Sequence, residues 1–164
     1  MCKTMRLSVL ALIAVARLPA YAAPVAAQAQ LDVSPEIQIS HEIRATLQTA
    51  GEYQTGTPLA LGVITSSVPF TSLNLKWDRS INPPGSVARE AYAVDPATKK
   101  KIPVTFEVEH GDRMVNDEGS DSVNVIFNNG ARLSEYGYSV ILTRGETLSA
   151  GAYPVGILAD VTVA

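Results

Sequence analysis

Side chains able to do chemistry are few in this 164-residue chain. It has two histidines, His41 and His110, and one cysteine, Cys2. A nucleophilic triad needs a Ser or Cys beside a His and an acid. No Gly-x-Ser-x-Gly elbow, phosphate-binding loop or dinucleotide fingerprint accompanies these residues. His41 falls on the apolar register of an alternating segment, and His110 stands at a glycine turn. Those places suit packed or surface imidazoles better than a shared metal. Asp112, Asp117, Glu118 and Asp121 gather around Gly119. They lack the alternating oxygen ligands and closing Glu of an EF-hand loop, so a solvated loop is expected. Lys99-Lys100-Lys101 is a short basic run beside a turn. A solvated loop is again the plain expectation, and a receptor or anionic-glycan contact the sharper one. No spacing singles out two carboxylates for glycoside hydrolysis. The expectation is therefore no catalytic residue, no metal, no cofactor and no enzyme activity.

The elements around these residues begin with an N-terminal leader. A basic stretch, Met1 to Arg6, precedes the apolar run Leu7 to Ala16 and the small-residue site Ala20-Tyr21-Ala22. An apolar run of about ten residues fits a secretory signal and is too short to span a bilayer. Residues 1–22 are read as a signal peptide, with Ala27-Gln28-Ala29 as a later alternative cut. Cys2 precedes the apolar run, so it is not a lipidation site. The chain carries 13 Lys+Arg against 16 Asp+Glu. Cleavage removes Lys3, Arg6 and Arg17 and leaves a mature chain that is more acidic and thiol-free. That balance lacks the basic footprint of nucleic-acid binding. A single Cys also excludes a disulfide framework within the chain.

Residues 23–30 are small and low in complexity and read as a flexible stretch. Apolar and polar residues then alternate through Leu31, Val33, Ile37, Ile39, His41, Ile43, Ala45 and Leu47. A period of two signals a strand, and the β-branched residues favour strand over helix. Further strands are expected at 59–65, 70–77, 87–94, 104–108, 122–127, 138–143 and 153–163. Between them lie turns rich in Gly, Pro and Asn, and Asn128-Asn129-Gly130 reads as a type I′ hairpin turn. No convincing amphipathic helix follows the leader. About eight short strands of this kind imply an all-β sandwich. Phe70, Trp77, Tyr92, Phe106, Phe127 and Tyr138 fall on those strands and are expected in its core.

The last strand places Tyr153, Val155, Ile157, Ala159, Val161 and Val163 on one face. Such a strand, with nothing after it to pair, is an edge that proteins normally cover. The alternating segment 31–45 offers the cover. It either completes its own sandwich or pairs with the edge of a neighbour by β-augmentation.

The ending Thr147-Leu148-Ser149-Ala150-Gly151-Ala152-Tyr153-Pro154-Val155-Gly156-Ile157-Leu158-Ala159-Asp160-Val161 resembles the terminal strand of chaperone–usher fimbrial subunits. Ile37-Gln38-Ile39-Ser40, Ala45-Thr46-Leu47-Gln48 and Pro58-Leu59-Ala60-Leu61 are similar to the start of the disulfide-free colonisation-factor-type (alpha-class) pilins. The resemblance covers the two ends of the chain, and residues 66–144 carry no motif of the family. It implies an incomplete immunoglobulin-like β-sandwich that lacks its last strand. A donor strand from another subunit would complete it. The implied layout is signal peptide 1–22, donor-strand extension 23–45 and sandwich 46–164. Implied donor anchors are Leu31, Val33, Ile37, Ile39 and Ile43. Tyr153, Val155, Ile157, Val161 and Val163 would form the acceptor groove. Implied partners are a periplasmic chaperone, an outer-membrane usher, further copies in a surface fibre and a host receptor. The rival reading is a self-contained secreted β-sandwich that binds a glycan or a protein.

Overall fold

The computed structural model describes residues 36–47, 49–109 and 111–163. The expected signal peptide, Leu31, Val33 and His110 lie outside the described residues. From Ile37 onward the chain forms one compact unit. Its strands are β1 (Ile39–Ala45), β2 (Gly51–Tyr53), β3 (Pro58–Trp77), β4 (Glu90–Val94), β5 (Lys101–Val108), β6 (Arg113–Asp117), β7 (Ser122–Ile126), β8 (Leu133–Leu142), β9 (Glu146–Leu148) and β10 (Ile157–Val163). The all-β expectation holds. The cause is the period-two pattern: Ile102, Val104 and Phe106 on β5, and Tyr136, Tyr138, Val140 and Leu142 on β8, all point into the core.

The long strand β3 organises the rest. Its first half lies between β1 and β8, and its second half between β10 and β7, all antiparallel. β5 and β4 extend the first layer beyond β8, and β6 extends the second beyond β7. Two strands were expected over 59–65 and 70–77. The chain instead keeps extended geometry through Ser66–Pro69 and changes layer there. Gly62 and Ile64 face inward before that stretch, and Leu73, Leu75 and Trp77 after it. The even-to-odd switch needs one extra residue, because a one-residue slip exchanges the faces of a strand. Thr71 is that residue: Ser72 pairs with Thr162 and Phe70 with Val163, and Thr71 is skipped. A bulge of this kind bends and twists the strand, and the two layers close on each other. Trp77 of the second layer stacks on Phe106 of the first at 4.4 Å, and its Nε1 donates to the Arg89 carbonyl at 3.0 Å.

The expected hairpin at Asn128-Asn129-Gly130 does not form. Asn129 and Gly130 do adopt φ of 56° and 63°, the left-handed values such a turn requires. The segment is a single 3-10 turn, however, and β7 and β8 do not pair with each other. Both run antiparallel to β3, so the chain continues past the turn along β3 and does not reverse. β6 is a strand where a loop was expected, because Met114 packs on the core while its neighbours stay in solvent. The strand expected from Val87 begins at Glu90, and the last one begins at Ile157.

Candidate functional site: an open apolar edge

β10 pairs along one edge with β3, from Ile157 opposite Trp77 to Val163 opposite Phe70. Among the described residues nothing pairs with its other edge. The side-chain alternation is the expected one. Leu158, Asp160 and Thr162 face solvent, while Ile157, Ala159, Val161 and Val163 face inward. Only Ile157 is fully buried; Tyr153, Val155, Ala159, Val161 and Val163 pack on the core yet remain half-exposed. Inward apolar residues reach full burial in a sheet when strands flank them on both sides. Here one flank is missing.

The segment leading into β10 is held by buried polar groups. Asn82 Nδ2 donates to the Tyr92 and Pro154 carbonyls at 3.1 and 2.9 Å, and its Oδ1 accepts from Gly156 N at 2.8 Å. These bonds fix 154–156 without strand pairing. Gly151 lies against Asp95: a Cβ there would sit 2.8 Å from Oδ2. The chain therefore passes at a distance that only glycine allows. Asp95 itself is held ionised, its pKa lowered by bonds from Thr98 and Ala97.

Between this segment and β1 opens an apolar cleft of about 360 Å³. Its walls are Ile43 and Leu47 on one side and Tyr153 and Val155 on the other. Ala60, Ala93 and Gly151 also line it, and these small residues leave the space unfilled. A free strand edge beside an apolar cleft can accept an extended segment. Among the described residues the side chains lining the cleft are apolar apart from the Tyr153 hydroxyl.

Of the expected donor anchors, Ile37 precedes β1 and is exposed. Ile39 and Ile43 sit on β1 and pair with their own chain, opposite Ser66 and Gly62. Along β3, β10 ends at Phe70 and β1 begins at Ser66. β1 is held by an unusual contact. His41 Nε2 lies 2.6 Å from the Tyr138 hydroxyl on β8, reaching across β3. Gly62 on β3 makes this possible, because a Cβ there would sit 2.1 Å from the Tyr138 ring. Burial lowers the His41 pKa and raises that of Tyr138, so both stay neutral at pH 7.

Ile43 is expected as a donor anchor and Leu47 as part of the alternating run, yet both stand in the cleft wall of their own chain. Ala60, Ala93, Ile102 and Leu148 escape sequence reading, because they come from separate strands and each reads simply as core. Gly151 carries the one usable signal, a glycine before an alternating run. In the acidic stretch, Asp117 accepts from Gly119 N and Ser120 N. Asp121 pairs with Arg79 through two bonds of 2.6 Å. Those carboxylates therefore shape a turn and tie it to the loop after β3.

No family model matches the chain, and no curated protein matches it. Solved structures do. The minor tip subunit HdaB of the Escherichia coli Hda pilus superposes with a TM-score of 0.63 at 10% identity, covering 77% of this chain and 84% of that one. The Salmonella SafD adhesin gives 0.62 at 16% identity, over 76% and 84%. AggB, the minor subunit of aggregative adherence fimbriae type I from Escherichia coli, gives 0.59 at 11%, over 76% and 86%. At such identities the likeness is one of fold: this chain has the all-β fold of pilus and fimbrial subunits.

Proposed function

We propose that the chain is a structural subunit of a surface fimbria. It is exported through the periplasm with a chaperone and an outer-membrane usher, polymerises head to tail by donor-strand exchange and supports adhesion. The observation that supports this most is the edge of β10 that nothing pairs among the described residues, its inward row half-exposed, together with the apolar cleft beside the segment that leads into it. The donor is the N-terminal extension of another copy, presenting Leu31, Val33, Ile37, Ile39 and Ile43. Each buried Val, Leu or Ile contributes roughly 1.5–3 kcal/mol, so several anchors make a durable joint. A head-to-tail contact of this kind does not close on itself and builds a fibre. In the free chain β1 already pairs with β3, so a donor containing Ile39 and Ile43 must first leave its own sheet. That cis pairing favours the second reading, a self-contained secreted β-sandwich that binds a glycan or a protein.

One experiment separates the two. Residues 23–164 are unfolded thermally with and without a further copy of residues 31–45 linked after Ala164. The fimbrial reading expects a fused chain that is monomeric and melts far above the unfused one. Two equally stable monomers would instead establish the self-contained sandwich.

A further inference from the structure

The face of the first layer that points away from the core carries a second recess. On β8, Gly137 and Ser139 face outward and leave a low row between β3 and β5. Val63 stands opposite Gly137, and Leu61 opposite Ser139. These two are 39% and 45% exposed, high for aliphatic side chains on a central strand. Glu107, also opposite Ser139, and Glu109 form the other wall. The recess measures about 380 Å³. A Cβ on Gly137 would lie 3.6 Å from Glu109 Oε1, so this carboxylate hangs over the notch. Among the described residues the salt bridges are made by Arg44, Arg79 and Arg144, and no cation pairs with Glu107 or Glu109. An aliphatic wall facing a carboxylate wall suits a group that offers small apolar atoms beside an ammonium.

The molecule carries such a group at the other end of β5. The turn between β4 and β5 exposes Pro96, Ala97, Thr98 and Lys99, followed by Lys100 and Lys101. The Asp95 carboxylate braces it, accepting from Ala97 N at 3.1 Å and Thr98 Oγ1 at 2.6 Å. Lys99 N and Asp95 N close the turn onto the Asp95 and Lys100 carbonyls. A braced turn loses little conformational freedom on docking. Lys101 opens β5 and Val108 closes it, which separates turn and recess by roughly 20 Å at the rise of an extended strand. The turn therefore cannot reach the recess of its own molecule.

We propose that the outer-face recess formed by Leu61, Val63, Gly137, Glu107 and Glu109 receives the Pro96–Lys101 turn of a second copy of this chain. The contact joins two different surfaces, so it is heterologous and passes from copy to copy. It does not use the edge of β10, and it stands independently of donor-strand exchange.

Disulfide trapping tests it in full-length chains carrying Cys2→Ser. Lys99→Cys chains are mixed with Glu109→Cys chains, or with chains carrying Asn116→Cys at an exposed position on β6, and oxidised mildly. The expected result is mixed disulfide forming about tenfold faster with Glu109→Cys, as close charge pairing across a contact gives. Adding Glu107→Lys to the Glu109→Cys chain removes that excess, and Lys101→Glu in the Lys99→Cys chain restores it. Thermal melts of each variant confirm that these exposed substitutions leave the fold intact. Equal rates for the two pairings, or an excess that ignores the charge swap, would overturn the proposal.

Discussion

A methyl group added at Gly62 and one added at Gly137 meet opposite surroundings, although the two residues lie on neighbouring strands. At Gly62 it would sit 2.1 Å from the Tyr138 ring. The ring must then move and lose its 2.6 Å contact with His41. At Gly137 the nearest atom is Glu109 Oε1 at 3.6 Å, an ordinary contact with a mobile side chain. Gly62→Ala is expected to cost about 1–3 kcal/mol, the range for forcing extra volume into a packed site. Gly137→Ala is expected to stay within about 0.5 kcal/mol of the parent. Urea unfolding of both variants checks this, and equal costs would mean that Tyr138 is not seated over Gly62. Neither glycine announces its role in the sequence. In each case the reason is a side chain far along the chain, and no local pattern predicts it.

Among the strands, β10 behaves as a half-covered edge, and its two faces should respond differently. Val161 faces inward and packs against the core, whereas Leu158 on the opposite face is 55% exposed. Val161→Asp places a carboxylate against apolar neighbours, where burying an unpaired charge is costly. A drop of about 2–4 kcal/mol is expected, in line with other buried polar substitutions. Leu158→Lys is expected to change stability by less than about 0.5 kcal/mol, as exposed substitutions do. Guanidinium denaturation of the two variants reads the difference, and similar losses would show that both faces are packed. The alternation of β10 was legible in the sequence because strand geometry places every second residue on one face. The length of β3 was not. Its change of layer accompanies register breaks against β8 between Thr65 and Phe70 and against β10 at Thr71, both defined by partner strands far along the chain.

For the folded unit as a whole, acid should act in two stages. Burial holds the His41 pKa below its ordinary 6.5. The unfolded chain then binds a proton at a pH where the folded one does not. The stability linked to His41 is full above about 6.5 and falls as pH drops below it. Asp78, Asp95, Asp117 and Asp121 have pKa values held below 3.8 by hydrogen bonds, those of Asp121 coming from Arg79. Their share is present above about 3.8 and is lost as pH falls further. Unfolding free energies measured from pH 7.5 to 5 should decline in the parent and flatten in His41→Gln. An unchanged slope in the variant would remove His41 from the account. Composition and periodicity alone settled that this is an all-β chain with an apolar, alternating last strand, because local backbone geometry imposes a period of two on any half-buried strand. The partners of each strand were settled only in three dimensions. β1 lies in cis against β3, β7 and β8 run on past a turn whose residues suit a hairpin, and the cleft beside Tyr153 is assembled from β1, β3, β4, β5 and β9. Strand pairing depends on hydrogen bonds and packing between residues remote in the chain, and a one-dimensional pattern holds no record of which edges meet.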